Sequence, residues 1–192
     1  MERLVLDESK MSEAEVTLRL AISLISNGHT KEDVVTAIDG AQVKIGETVH
    51  FQILEFLSTN GWLPNNKSGR WQCAYKNKDY QQSIVVHSNS GEGDLVATLN
   101  SGKRLRVESK KGPLVRSKSS QEYPLIREAI GQLMTIEHAD PNDVLSVAVP
   151  SSEKFNALAA KWRERPLMKS TNIHIVTVDR DNVIKGLENV GI

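Results

Sequence analysis

Hydrophobic and polar positions follow a helical spacing in the N-terminal part of the chain. Ser12 followed by Glu15 is typical of a capping box, and the apolar residues after it predict a helix that ends at Gly28. A second, shorter run begins at Thr30, which can cap a helix of its own. We therefore predict three N-terminal helices, over residues 12–28, 30–38 and 47–59.

Short β-compatible runs replace this pattern in the middle of the chain. Asn100-Ser101-Gly102 makes a tight connection between two of the runs, which predicts an antiparallel hairpin. Two later runs are almost wholly apolar, as in strands that are buried on both faces. The predicted strands are 71–76, 83–87, 94–99, 103–110, 144–149 and 173–178, and the later helices are 121–137, 151–165 and 180–187.

This order of elements predicts an α/β fold. The strand at 103–110, the helix after it and the strand at 144–149 form a β-α-β unit, whose two strands should be parallel with a right-handed crossover. The hairpin adds an antiparallel pair, so we expect a mixed central sheet flanked by helices on both faces. We predict two parts, a helical N-terminal extension over residues 1–45 and a core over residues 46–192.

Composition excludes several classes of protein. The chain has 192 residues and a single cysteine, Cys73, so a disulfide framework and a zinc site made of several thiolates are excluded. No apolar run approaches the 18 or so residues of a membrane-spanning helix. The N-terminus does not have the pattern of a signal peptide. We therefore expect a cytoplasmic protein that does not engage a membrane.

The net charge is zero, but it is distributed unevenly. Residues 1–60 carry −5, residues 61–120 carry +7 and residues 121–192 carry −2. The basic excess is densest at 103–118, where Glu108 is the sole acidic residue. Such a stretch can bind phosphate locally, although a solvated strand and loop would have the same composition. The basic residues of this stretch are Lys103, Arg104, Arg106, Lys110, Lys111, Arg116 and Lys118.

The predicted hairpin brings together residues that could carry chemistry. Side chains alternate across a strand, so Glu108 and Lys110 share one face, and pairing of the strands can place Asp94 beside Glu108. Two carboxylates suit a hard cation such as Mg²⁺, and a nearby lysine can orient a metal-bound water. Two alternatives remain open, in which Asp94 belongs to a turn and Glu108 and Lys110 form an ion-pair ladder.

These segments resemble the PD-(D/E)xK nuclease superfamily, which has the restriction-endonuclease-like fold. The matching segments are Gly93-Asp94-Leu95, Val107-Glu108-Ser109-Lys110 and the helix around Gln132, and the resemblance covers about residues 46–192. It implies that Asp94 and Glu108 hold the metal and that Lys110 assists the attacking water. It also implies that Gln132 supports the site or contacts the substrate.

The chain departs from the superfamily pattern at two places. Gly93 stands where a proline usually precedes the aspartate. Many members also carry a glutamate on the first core helix, but the expected place near residues 50–51 has none. Glu47 lies about one helical turn earlier and is the candidate for a third acidic residue.

The expected function is Mg²⁺-dependent hydrolysis of DNA phosphodiester bonds, with Mn²⁺ as a substitute metal. An endonuclease in restriction, phage defence, mobile-element processing or repair would fit this chemistry. The residues expected to bind the DNA backbone are Lys103, Arg104, Arg106, Lys111, Arg116 and Lys118. The alternative is a catalytically silent module of the same fold that binds nucleic acid or protein. Residues 1–45 are too acidic for a DNA-reading helix-turn-helix, so we expect them to pack on the core or to form a homodimer or larger complex.

Overall fold

The computed structural model describes residues 6–66, 69–89, 91–115 and 121–191. The described helices are α1 (Glu13–Ser26), α2 (Gly40–Val43), α3 (Ile53–Thr59), α4 (Glu122–Met134), α5 (Glu153–Arg163) and α6 (Pro166–Thr171), with a short 3₁₀ helix at Leu187–Asn189. The strands are β1 (Lys10–Met11), β2 (Val34–Ala37), β3 (Lys44–Ile45), β4 (Thr48–Val49), β5 (Leu63–Pro64), β6 (Ala74–Lys76), β7 (Ser83–His87), β8 (Leu95–Thr98), β9 (Arg104–Ser109), β10 (Gly112–Pro113), β11 (Asp143–Pro150), β12 (Ile173–Val178) and β13 (Ile184–Lys185).

A mixed sheet of nine strands forms the centre of the molecule, in the order β13-β12-β11-β9-β8-β2-β7-β6-β5. The pairs β9–β11, β11–β12 and β2–β7 are parallel, and the other neighbours are antiparallel. The strands β1 and β10 form a separate small ladder, as do β3 and β4. The predicted mixed sheet and the predicted hairpin, which is β8 and β9, are confirmed.

Helices cover both faces of this sheet. On one face α4 and α5 bury a cluster around Ile126, Val147 and Phe155, because alternate residues of β11 and β12 point toward them. On the other face α1 packs against β2, β9, β11 and β12. Among the described residues, no helix is both long enough and apolar enough to cross a membrane.

The helix α1 is a core element. Ser12 caps it as predicted, since its hydroxyl accepts a 3.1 Å hydrogen bond from the backbone N–H of Glu15. Every residue from Ala14 to Ile25 is buried. The helix therefore packs on the core, which is one of the two roles that we expected for the N-terminal part.

Two predicted helices are wrong, and both corrections enlarge the sheet. Residues 34–37 form β2, which lies between β7 and β8, so residues before and after position 45 share one sheet and one core. The predicted boundary at residue 45 therefore does not separate two parts that pack independently. Residues 180–187 form a turn and then β13, which pairs with β12. The predicted third helix is shorter than expected and starts at Ile53.

Candidate active site

Asp94 and Glu108 meet at the end of the β8–β9 hairpin. The last regular pair of the ladder is Leu95 opposite Val107, and Asp94 and Glu108 are the next residues along each strand. The backbone N–H of Asp94 donates to the carbonyl oxygen of Val107 at 2.8 Å. One carboxylate oxygen of Asp94, Oδ2, accepts from the backbone N–H of Ser109 at 2.8 Å. The aspartate is therefore held in position by backbone groups of β9.

Glycine is required immediately before this aspartate. Gly93 has φ of +122°, a conformation that L-residues with a side chain rarely adopt. A Cβ at this position would lie 2.8 Å from the carbonyl oxygen of Val107, which is the acceptor for Asp94. Proline cannot adopt a positive φ, so the departure from the superfamily pattern has a local structural reason.

Gly93→Ala should destabilise the protein and displace Asp94. We expect a loss of about 2 kcal/mol in the free energy of unfolding, from the positive φ and the close approach to Val107. Chemical denaturation measures this loss. Gly102→Ala is the matched control, because Gly102 also has a positive φ but a Cβ there would meet open space. An equal loss in both variants would contradict a special role for the close contact at Gly93.

The ionised forms of the two carboxyls are disfavoured at this position. Burial, and next the charge of Glu108, raise the pKa of Asp94 to about 7. Burial also raises the pKa of Glu108, with a smaller contribution from Glu13, against the opposing effect of Lys110. The pair therefore carries negative charge that the protein leaves incompletely neutralised.

Lys110 lies directly beyond β9 and is almost completely buried. Its side chain is 7% exposed, and its backbone N–H donates to the carbonyl oxygen of Ala148 on β11. The ammonium group lies 3.2 Å from Oε1 of Glu128 on α4 and 4.0 Å from Oε2 of Glu13 on α1. Lys110 thus connects the helices on the two faces of the sheet at the edge where Asp94 and Glu108 meet.

Two acidic residues that contact Lys110, Glu13 and Glu128, were not among the predicted site residues. Glu13 is the first residue of α1, and its Oε1 accepts a 2.9 Å hydrogen bond from the side-chain amide of Gln42. The Ser12 capping box was the signal that placed Glu13 at a helix start. Glu128 lies on α4 one helical turn before Gln132, on the same face of the helix.

Two predicted residues do not reach the site. Glu47 lies in the turn between β3 and β4, where it is fully exposed and pairs with Lys44 at 3.5 Å. Glu47 is therefore not a third acidic residue of this site. Gln132 is exposed on α4, and none of the hydrogen bonds between described residues joins its side chain to Asp94, Glu108 or Lys110.

The predicted DNA-binding residues fall into three groups. Arg106 is buried and donates to the carbonyl oxygens of Glu92 and His138 and to the carboxylate of Asp143, so it supports the fold and cannot reach a phosphate in this conformation. Arg104 is half-buried and pairs with Glu92. Lys103 and Lys111 are exposed, at opposite ends of the β9 segment. Arg116 and Lys118 lie outside the described residues.

The donor set of this site suits a hard divalent cation. Mg²⁺ in proteins commonly takes one or two carboxylates and completes its shell with water and substrate phosphate oxygens. Asp94 and Glu108 provide such a pair, and a cation would offset the burial and the repulsion that together raise the pKa of Asp94. Within the part of the chain that the structure describes, no three His, Cys, Asp or Glu side chains converge closely enough to hold a metal. A metal held here would therefore depend on oxygen ligands from outside the protein.

Comparisons of the chain with protein-family models, with curated proteins and with solved structures find no match. The chemistry assigned to the site therefore depends on its own residues and their geometry. Those residues are Asp94, Glu108 and Lys110, together with the two glutamates that contact the lysine.

Proposed function

We propose that this protein is a metal-dependent nuclease with a restriction-endonuclease-like fold that hydrolyses DNA phosphodiester bonds. The observation that carries the proposal is the convergence of two carboxyls and a buried lysine at one edge of the sheet. Asp94 and Glu108 lie on neighbouring strands, and Lys110 follows two residues after Glu108. The alternative ion-pair ladder would pair Lys110 with Glu108, whereas the ammonium of Lys110 pairs with Glu128 and Glu13.

The surrounding topology supports the same proposal. The strand β9, which carries Glu108, is followed by α4 and by β11, which lies parallel to β9. A long helix, α1, covers the opposite face and contributes Glu13 next to Lys110. The resemblance expects a glutamate on the first core helix, and Glu13 on α1 satisfies that expectation better than Glu47.

Each residue has a distinct role in the proposed reaction. Asp94 and Glu108 would hold the cation, which when bound supplies Lewis-acid polarisation of the phosphate and a more acidic water. The ammonium of Lys110 can donate a hydrogen bond to the oxygen of the attacking water or of the scissile phosphate. The carboxylates of Glu13 and Glu128 hold this ammonium at the end of β9 through ion pairs. The hydrogen bond from the backbone N–H of Ser109 to the carboxylate of Asp94 fixes the orientation of Asp94.

A panel of DNA substrates tests the function directly. Plasmid, linear duplex, single-stranded and branched DNA are incubated with the purified protein in Mg²⁺, in Mn²⁺ and in EDTA. We expect cleavage of at least one substrate with either metal and none in EDTA. If no substrate is cleaved with either metal, the catalytic proposal fails, and a catalytically silent binding module becomes the better interpretation.

A further inference from the structure

A large cleft opens beside the candidate active site. Its volume is about 1240 Å³, and it lies between the start of α1, the helix α2, the strand β10 and the start of α4. Glu13 lies in its wall and is 4.0 Å from the ammonium of Lys110, and Lys111 also lines it, so the cleft adjoins the site. This volume exceeds the roughly 300–1000 Å³ of pockets that hold one small molecule, so the cleft can take a longer ligand.

The walls of the cleft combine three kinds of group. Apolar side chains form part of its surface, among them Val115, which is 57% exposed, and Leu125. The side chain of Gln121 adds hydrogen-bonding groups, as does the side-chain oxygen of Gln42, whose amide nitrogen donates to the carboxylate of Glu13 in the same wall. Lys111 is exposed at the cleft and has no ion-pair partner among residues 6–66, 69–89, 91–115 and 121–191. A single ligand that uses all three would have apolar faces, polar edges and negative charges.

An unpaired DNA strand has these properties together. Its bases present flat faces that pack on apolar side chains and edges that hydrogen-bond with amides, and its phosphates pair with lysines. A duplex stacks its base faces internally and presents phosphates on its outer surface, so it would leave the apolar wall of the cleft uncovered. Lys110 lies beside the cleft and is only 7% exposed, so a single strand can approach it more closely than a duplex can.

We infer that the cleft binds unpaired nucleotides next to the scissile phosphate, so that the substrate class is single-stranded or locally unpaired DNA. This inference rests on the proposed function for the position of the scissile phosphate. In this arrangement the phosphate lies at Asp94, Glu108 and Lys110, and the neighbouring bases lie along the wall that contains Val115 and Leu125. The exposed ammonium of Lys111 contacts the backbone of the same strand.

Fluorescence anisotropy in EDTA tests the inference without cleavage. The probes are a labelled 15-nucleotide DNA strand, the matching blunt duplex, an abasic strand of equal charge and an RNA of equal sequence. We expect the DNA strand to bind at least about tenfold more tightly than the duplex or the abasic strand, a factor that corresponds to about 1.4 kcal/mol and is of the order expected for burying one aliphatic side chain of the wall against a base. Equal affinity for the duplex or for the abasic strand would overturn the inference, and equal affinity for RNA would overturn the restriction to DNA.

Two pairs of variants locate the binding to the cleft. Lys111→Glu should weaken binding of the DNA strand about tenfold, whereas Lys185→Glu makes the same charge change at an exposed lysine on β13, outside the cleft, and should have little effect. Val115→Ser should weaken binding of the DNA strand but not of the abasic strand. Val183→Ser, at another exposed apolar position, is its control. Equal losses within either pair would place the binding outside the cleft.

The two proposals fail in different ways. Cleavage of plasmid DNA with Mg²⁺, together with no preference for the single strand in anisotropy, would overturn the substrate class and leave the nuclease function intact. A clear preference for the single strand without cleavage of any substrate would support the cleft as a binding site and overturn the nuclease function.

Discussion

Lys110→Met is expected to reduce Mg²⁺-dependent DNA cleavage by roughly 10²- to 10⁴-fold, the range found when a group that transfers a proton or stabilises developing charge is removed. Methionine keeps the apolar stem of the side chain and removes only the ammonium group. The two glutamates that lose their partner are 59% and 19% exposed, so water can solvate them and the fold should persist. Initial rates of cleavage at saturating DNA measure the effect.

The control for this variant is Lys185→Met. Lys185 is exposed on β13, an edge strand of the sheet, and belongs to none of the proposed contacts. Its substitution should leave cleavage unchanged. Equal melting temperatures of the two variants would show that the loss at Lys110 is not a loss of folded protein. A Lys110→Met protein that cleaves DNA at the wild-type rate would contradict the proposed role of the ammonium.

The centre of the sheet could be predicted from the sequence because its signals are local. Asn100-Ser101-Gly102 fixes the hairpin connection, and strict alternation along β9 places Glu108 on one face and Val107 on the other. The runs 144–149 in β11 and 173–178 in β12 exceed the length of a turn and contain no Asp, Glu, Lys or Arg. These features determine the register that brings Asp94 beside Glu108, so both residues could be predicted from the sequence.

The strand β2 could not be predicted in the same way. Thr30 and Gly40 are helix-terminal signals, and Val34 and Ile38 have helical spacing, so the local pattern favoured a helix. The segment instead pairs with β7 and β8, and Val34 is completely buried there. The run of β-branched residues at 34–36 was the available signal for a strand. Long-range pairing therefore outweighed the local helix signals.

The position of Glu13 beside Lys110 could not be predicted from the sequence. Sequence spacing can place Glu13 and Glu47 each near a predicted helix start, but it cannot tell which helix packs beside β9. The structure brings α1 against β9 and leaves Glu47 in an exposed turn. The apolar residues around most of the surface of α1 could have indicated its central place, because a helix with this pattern belongs to a core.

Asp94→Asn is expected to stabilise the protein in the absence of metal, by about 2–3 kcal/mol at pH 8. The pKa of Asp94 is raised from 3.8 to about 7, so the folded state binds a proton that the unfolded state releases. A shift of about 3 units at 1.36 kcal/mol per unit gives about 4 kcal/mol as an upper value, and partial exposure to solvent reduces it. Asparagine keeps an acceptor for the N–H of Ser109 and removes the charge that faces Glu108.

The sign of the pH dependence follows from the same shift. Because the folded-state pKa is above the unfolded value, the contribution of Asp94 to stability is fully present below pH 4 and is lost as the pH rises through about 7. The stabilising effect of the substitution should therefore be less than half as large at pH 5 as at pH 8. Urea denaturation in EDTA at both pH values measures it, with Asp79→Asn at an exposed turn as control. If Asp94→Asn lowers the free energy of unfolding at pH 8, the carboxylate is neutralised within the protein, and the electrostatic basis for a cation at this site is wrong.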